Sequence, residues 1–280
     1  MIKSELEQDI NTALKILYLE PLTDEEQQLY NKLYPWSNEG ISNYYKYYDL
    51  TNKKALCITG SGDHLLYAAA AGATEIDSFD KNRLCKYYTA LKVALILSYN
   101  EINFFKHFVY KQKCILSNNI NLNHLKTYLS DDYFIFWEQI INTKAFKTNK
   151  YLFRFDGFPS KFNLDYKQLQ KALSKTKINY YDMNAQEFLD YTENTYDAIF
   201  LSNILEWMSP TNRTILSQFY HLLNDNGVLY DYHLKRTNSS SCSSSSPIIK
   251  PETQIITSPG IPGIEELSNQ KVLVYRKTKI

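Results

Sequence analysis

The stretch Ala55 to Asp63, ALCITGSGD, most constrains this chain: a short apolar strand runs straight into a Gly-Ser-Gly turn closed by a carboxylate. Gly60 and Gly62 let the backbone reverse sharply and approach a ligand closely. The apolar run His64 to Gly72 reads as the helix that follows, so a helix N-terminus faces the end of the strand. A second strand, Glu75 to Phe79, ends at Asp80, twenty residues past Gly60, which suits a carboxylate clamping ribose hydroxyls. A lone Gly-x-Gly after an apolar run is common and reads as an ordinary turn. Strand, helix and acid at these distances together point to a nucleotide-cofactor pocket.

The third glycine of a dinucleotide fingerprint would fall near Leu65 or Leu66, and neither is glycine, which disfavours a nicotinamide or flavin dinucleotide. S-Adenosylmethionine, with a ribose and an adenine but no phosphate, is the cofactor this pattern predicts. The 280 residues, 44% of them apolar, are enough for one substantial core with an accessory subdomain. A formal net charge of +1 gives no general attraction to nucleic acid, so a small-molecule or lipid-like acceptor is expected. Four cysteines, Cys57, Cys85, Cys114 and Cys242, lack paired metal-ligand spacing and read as reduced structural thiols, with no metal site. No run approaches a membrane span and MIKSELEQDI lacks a signal-peptide core, so a cytoplasmic location is expected.

Strand and helix patterns alternate along the chain. Residues 4–19 and 23–34 are candidate N-terminal helices, followed by the aromatic cluster Tyr44, Tyr45, Tyr47 and Tyr48. Residues 1–50 are expected as a helical and aromatic lid, and 51–280 as the cofactor-binding α/β domain. Helical periodicity from Arg83 to Tyr99 follows the second strand, and an aromatic, helix-rich segment from about 101 to 175 reads as an inserted helical subdomain. Alternation resumes with strand Ile178 to Tyr181, helix Ala185 to Tyr191 and strand Asp197 to Leu201. Helix Thr211 to Leu223 then leads through the turn Asn224 to Gly227 into strand Val228 to His233, and Lys271 to Lys277 forms a late strand. The run Asn238 to Pro247, NSSSCSSSSP, reads as a flexible loop within 237–247. The predicted fold is α/β, a doubly wound and mostly parallel sheet.

In such a sheet, ligands lie outside the carboxyl ends of the strands. The cofactor-binding candidates are therefore Thr59, Gly60, Ser61, Gly62 and Asp63 after the first strand and Asp80 with Lys81 after the second. Asp182 with Met183 follows the third and Ser202 follows the fourth. Asp182 could equally cap a helix, as short polar side chains do. Asn203, Tyr232 and His233 are the catalytic candidates, with Asp231 and Glu206 as further bases for an acceptor hydroxyl.

Three runs, ALCITGSGD, DSFDKNRLCKYYTALKVALILSYNE and YDAIFLSNILEWM, resemble the S-adenosylmethionine:diacylglycerol 3-amino-3-carboxypropyl transferase family of betaine-lipid synthesis. The resemblance spans roughly residues 44–236. It is most specific at the Gly-Ser-Gly-Asp turn, at Asp80-x-Asn82 with Leu91-Lys92, and at Leu201-Ser-Asn-Ile204 with Trp207. It implies a class I methyltransferase-like Rossmann fold, S-adenosylmethionine as cofactor, and transfer of the aminocarboxypropyl arm with release of methylthioadenosine. Methyl transfer on the same fold is the alternative. A cofactor-binding protein without catalysis and a dinucleotide-dependent oxidoreductase are remoter ones. The chain is short for the lipid enzymes of that family, which leaves the acceptor open.

Overall fold

A computed structural model describes residues 4–37, 39–45, 48–108, 116–154, 164–207, 214–233, 253–256 and 271–278. Tyr47, Cys114, Met208, Cys242 and the Ser-rich run lie outside the described residues. Seven strands, β1 (Lys54–Ile58), β2 (Glu75–Phe79), β3 (Lys177–Tyr181), β4 (Tyr196–Phe200), β5 (Leu223–His233), β6 (Thr253–Ile256) and β7 (Lys271–Arg276), form one sheet in the order β3-β2-β1-β4-β5-β7-β6. The first five are mutually parallel, and β7 runs antiparallel between β5 and β6. This is the doubly wound, mostly parallel sheet expected from the strand and helix alternation, and its order, with an antiparallel β7 between β5 and β6, is that of the methyltransferase-like Rossmann fold the resemblance implied. β1 is central, with Ala55 opposite Ile76 on one side and Ala198 on the other, so its sequence is almost continuously apolar.

Alternate residues of β1 feed opposite faces. Ala55 and Cys57 join a large core that holds α1 (Glu5–Tyr18), α3 (Asp63–Ala70) and α4 (Leu84–Ser98). Leu56 joins a smaller core with Phe188 of α10 (Ala185–Tyr191) and Phe219 of α11 (Thr214–His221). The insertion between α4 and β3 adds α5 (Glu101–Lys106), α6 (Leu122–Leu125), α7 (Asp131–Ile141), α8 (Lys144–Thr148) and α9 (Tyr166–Leu173), all on the larger core's face. α7 is anchored on α4: Trp137 Nε1 donates to the Tyr87 carbonyl at 2.8 Å, and the Phe136 and Tyr87 rings stack at 3.9 Å. None of the helices described is long and apolar enough to cross a membrane.

Three departures from the sequence reading have local causes. The second helix, α2 (Asp24–Leu29), starts at a Thr23 capping box but stops well short of residue 34, because Leu33 is drawn into a bridge with Phe153 and Pro35 disfavours helix before it. Asn224 to Gly227 is no loop ahead of β5 but an irregularity within it, with Asn226 at φ 63° and a register shift against β4 between Tyr196 and Ala198. β6, four residues long, carries too short a pattern to have been expected.

Candidate functional site

The sheet reverses its order between β1 and β4, the point at which open α/β sheets bind ligands. β1 delivers the turn there. The Gly62 N–H donates to the Thr59 carbonyl at 2.6 Å, and the hydroxyls of Thr59 and Ser78 are hydrogen-bonded beneath it. Gly60 (φ 45°) and Gly62 (φ 83°) are both left-handed, yet their surroundings differ. A Cβ on Gly60 would meet nothing within 4 Å, whereas one on Gly62 would lie 2.8 Å from Cγ2 of Thr89. Both glycines were expected to admit a ligand. Gly60 alone faces open space, and Gly62 lets α3 press against α4.

This difference separates two variants. Gly62→Val places a β-branched side chain in the left-handed region against Thr89, and its thermal midpoint should fall by on the order of 10 °C. Gly60→Ala should cost about 1–2 kcal/mol of stability and act mainly on ligand affinity. A Gly62→Val protein melting like the wild type would contradict the assignment.

Asp80 ends β2 half-buried. Its Oδ2 accepts the Gly60 N–H at 2.9 Å and its Oδ1 the Asn82 N–H at 2.9 Å, so the carboxylate ties the glycine turn to the neighbouring strand end. Burial pushes the Asp80 carboxyl up from its ordinary 3.8, and the Asn82 and Gly60 N–H groups oppose that rise. Asn82 clips the N-terminal arm, accepting the Asn31 N–H at 3.2 Å and donating to the Asn31 carbonyl at 3.1 Å. Lys81 is exposed beside it.

Asp63, expected to touch cofactor, is held by the protein. Its Oδ1 accepts from Lys92 Nζ at 2.9 Å, while its Oδ2 accepts from the Ser37 N–H and from the Ser61 hydroxyl. Lys92, 0% exposed, also donates to the carbonyls of Ser61 at 2.6 Å and Pro35 at 2.8 Å. Burial pulls its ammonium down from 10.5, and the Asp63 carboxylate works against that. Asp63 and Lys92 therefore brace the turn. Asp182 is not a cap: Asn184 caps α10, in a capping box with Glu187. Asp182 pairs instead with Lys86 and lies 3.9 Å from Arg83, and Met183 is half-buried against the smaller core.

At the end of β4, Ser202 adopts φ 53°, and its hydroxyl donates to Oε1 of Glu39 and lies 3.4 Å from Oδ1 of Asn203. Glu39, only 2% exposed, comes from the N-terminal arm. Its Oε2 lies 2.8 Å from His64 Nε2 and accepts the Tyr44 hydroxyl at 3.3 Å. Tyr232 is buried and stacks on Tyr44, which makes it part of the wall behind Glu39 and not an open base. Asp231 shares the face of Leu229, in the smaller core, because neighbours along a strand point opposite ways. It is buried there. The side chains of His233 and Glu206 lie outside the described residues.

Of the aromatic cluster expected as part of a lid, the described tyrosines pack against the protein. Tyr44 and Tyr48 are buried, Tyr48 against Phe200 at 4.6 Å and Tyr230 at 4.7 Å, and Tyr45 packs on Tyr67. Glu39 and His64 were not singled out from the sequence, and Lys92 entered only through the resemblance at Leu91-Lys92, with no role attached. Glu39 sits in an aperiodic stretch, and only the place of His64 next to the motif carboxylate could have flagged it. Cys57 and Cys85 are free and buried, and burial pushes both thiols up. Among the described residues no cluster of three or more His, Cys, Asp or Glu side chains could hold a metal ion.

No family model and no curated protein sequence matches the chain. Among solved structures it is similar to the N-methyltransferase NodS from Bradyrhizobium japonicum in complex with S-adenosyl-L-homocysteine. There the identity is 9% and the TM-score 0.45, over 97% of this chain and 99% of that one. It is also similar to the rRNA methyltransferase aviRa from Streptomyces viridochromogenes, at 8% identity and TM-score 0.42 over 95% of this chain and 84% of that one. A conserved hypothetical protein from Streptococcus pyogenes aligns at 11% identity and TM-score 0.40 over 81% and 87% of the two chains. At these scores the likenesses carry no argument, and the fold rests on the order and direction of the strands.

Proposed function

We propose that this chain is an S-adenosylmethionine-dependent transferase acting on a small-molecule or lipid-like acceptor. The observation that carries this reading is the pairing of Gly60 with Asp80. An open left-handed glycine stands at the end of β1, its N–H held by a carboxylate at the end of β2. Beside the Gly60 and Asn82 N–H groups and the Cys85 thiol, that carboxylate keeps acceptor capacity for a ribose hydroxyl. Bound there, the sulfonium supplies a carbon activated for displacement. The chain's own residues orient the cofactor and keep water out: Gly60 admits it, Asp80 holds the ribose, and Ser202 and Asn203 line the side toward the acceptor.

Asp80→Ala should weaken S-adenosylhomocysteine binding by roughly tenfold or more, since a charged hydrogen bond in such a place is worth ~1.5–3 kcal/mol. Titration calorimetry reads this directly, and unchanged affinity in a folded variant would reject the ribose assignment.

Methyl transfer is the reading that asks least of the fold. The resemblance at the glycine turn, at Asp80-x-Asn82 and at Leu201 to Ile204 favours a second one, aminocarboxypropyl transfer. The two reactions differ in which carbon on sulfur meets the acceptor, and one incubation separates them. With S-adenosylmethionine and a metabolite extract, methyl transfer releases adenosylhomocysteine. Aminocarboxypropyl transfer releases methylthioadenosine.

A further inference from the structure

The cluster of Ser202, Glu39 and His64 lies where β1 and β4 part, yet neither Glu39 nor His64 belongs to the glycine turn or the ribose carboxylate. Its order is unlike a nucleophilic triad, because the carboxylate occupies the middle, between the serine hydroxyl and the imidazole. The serine is therefore not activated. A carboxylate on His64 Nε2 fixes the proton there, which leaves Nδ1 as the lone-pair nitrogen. His64 is 7% exposed, and its Nδ1 has no hydrogen-bond partner among the described residues. Buried acceptors are almost always satisfied, so an unpartnered one beside a ligand crevice calls for a ligand that donates.

We propose that His64 Nδ1 is the proton acceptor for the nucleophile that attacks the cofactor, with Glu39 as its positioning residue. The inference rests on the transferase reading above. The acceptor's heteroatom forms a bond to the carbon on sulfur, the carbon–sulfur bond breaks with its electron pair going to sulfur, and the heteroatom's proton passes to Nδ1. The imidazolium formed is then neutralised by Glu39. The titratable and charged groups around His64 fit that task. Glu39 faces it from the N-terminal arm, and the Tyr44 hydroxyl binds the same carboxylate. Asp63, its neighbour in α3, is already paired with Lys92, and the ring of Phe200 from β4 stacks on the imidazole at 6.1 Å.

The test has three arms. Nitrogen-15 NMR of the histidine-labelled full chain near neutral pH should show His64 protonated at Nε2 only, and Glu39→Gln should disturb that tautomer. An Nδ1-protonated tautomer in the wild type would overturn the proposal, whatever becomes of the variants. Adding S-adenosylhomocysteine should leave the Nδ1 resonance in place. A large Nδ1 shift would make the cofactor's own ammonium the missing donor and would also overturn it. In the incubation with S-adenosylmethionine and extract, His64→Gln should lower product formation about 100-fold or more. Its affinity for S-adenosylhomocysteine should stay within a few-fold of wild type. Unaltered turnover would sink the assignment, whereas a wild-type protein that fails to bind S-adenosylhomocysteine would sink the transferase reading instead.

Discussion

Replacing Lys92 by methionine should destabilise the fold by about 3–5 kcal/mol, because it leaves the Asp63 carboxylate buried without its countercharge. The ammonium is shut away from solvent. It is 0% exposed and also satisfies the carbonyls of Ser61 and Pro35, so its loss frees the glycine turn and the arm together. Denaturant unfolding should show the lower midpoint, and the surviving folded fraction should bind S-adenosylhomocysteine weakly. The pairing with Asp63 makes the cause separable. Adding Asp63→Asn to Lys92→Met removes the stranded charge and should recover part of the loss, as expected when a buried ion pair is removed whole. A double variant no more stable than Lys92→Met would mean that the two carbonyl contacts, and not the charge, dominate.

The second large effect is expected at Asp9 of α1, 0% exposed and the hub that fastens the N-terminal helix to α4. Its Oδ1 accepts from Arg83 Nε at 2.8 Å and from the Tyr30 hydroxyl at 2.7 Å, and its Oδ2 from the Tyr87 hydroxyl at 2.7 Å. Asp9→Ala leaves two hydroxyls without their acceptor and takes from the largely buried Arg83 its nearest carboxylate, with Glu5 at 3.4 Å and Asp182 at 3.9 Å remaining, at a cost of about 3–5 kcal/mol. Its pH dependence has a definite sign. Burial raises the Asp9 carboxyl, but hydrogen bonds from Arg83, Tyr30 and Tyr87 and the charge of Lys86 outweigh it, and the folded value lies below 3.8. A carboxyl depressed by folding contributes stability above its unfolded value and loses it as pH falls through the folded one. The stability gap between wild type and Asp9→Asn should therefore be constant above about pH 5 and narrow below 3.8. A gap that widens on acidification would show that the ion pair is not its source.

What could be read from the sequence was what depends on neighbours in the chain. β2 and α10 have the expected bounds, because a short strand alternating up to Asp80 and an Asn-x-x-Glu capping box are local signals. That capping box also held the correction to Asp182, since it starts the helix at Asn184. The bulge in β5 was hidden because Asn-Gly reads as a loop until a partner strand forces it into register. The divided roles of Gly60 and Gly62 needed the position of Thr89, which no turn motif specifies. The same holds for the links that build the site. Ser202 meets Glu39 across 163 residues, Arg83 meets Asp9 across 74, and neither contact leaves a periodic trace.

Those separations also set an order of assembly. The arm that carries Ser37 and Glu39 emerges early in synthesis, before any strand it will touch, and its carboxylate has no serine partner until β4 is complete. That closure spans little more chain than the pairing of β1 with β4, Ala55 opposite Ala198, so the arm and the switch point of the sheet depend on the same late strand. A chain cut off before β4 would therefore lack the partner of Glu39 and the switch point together.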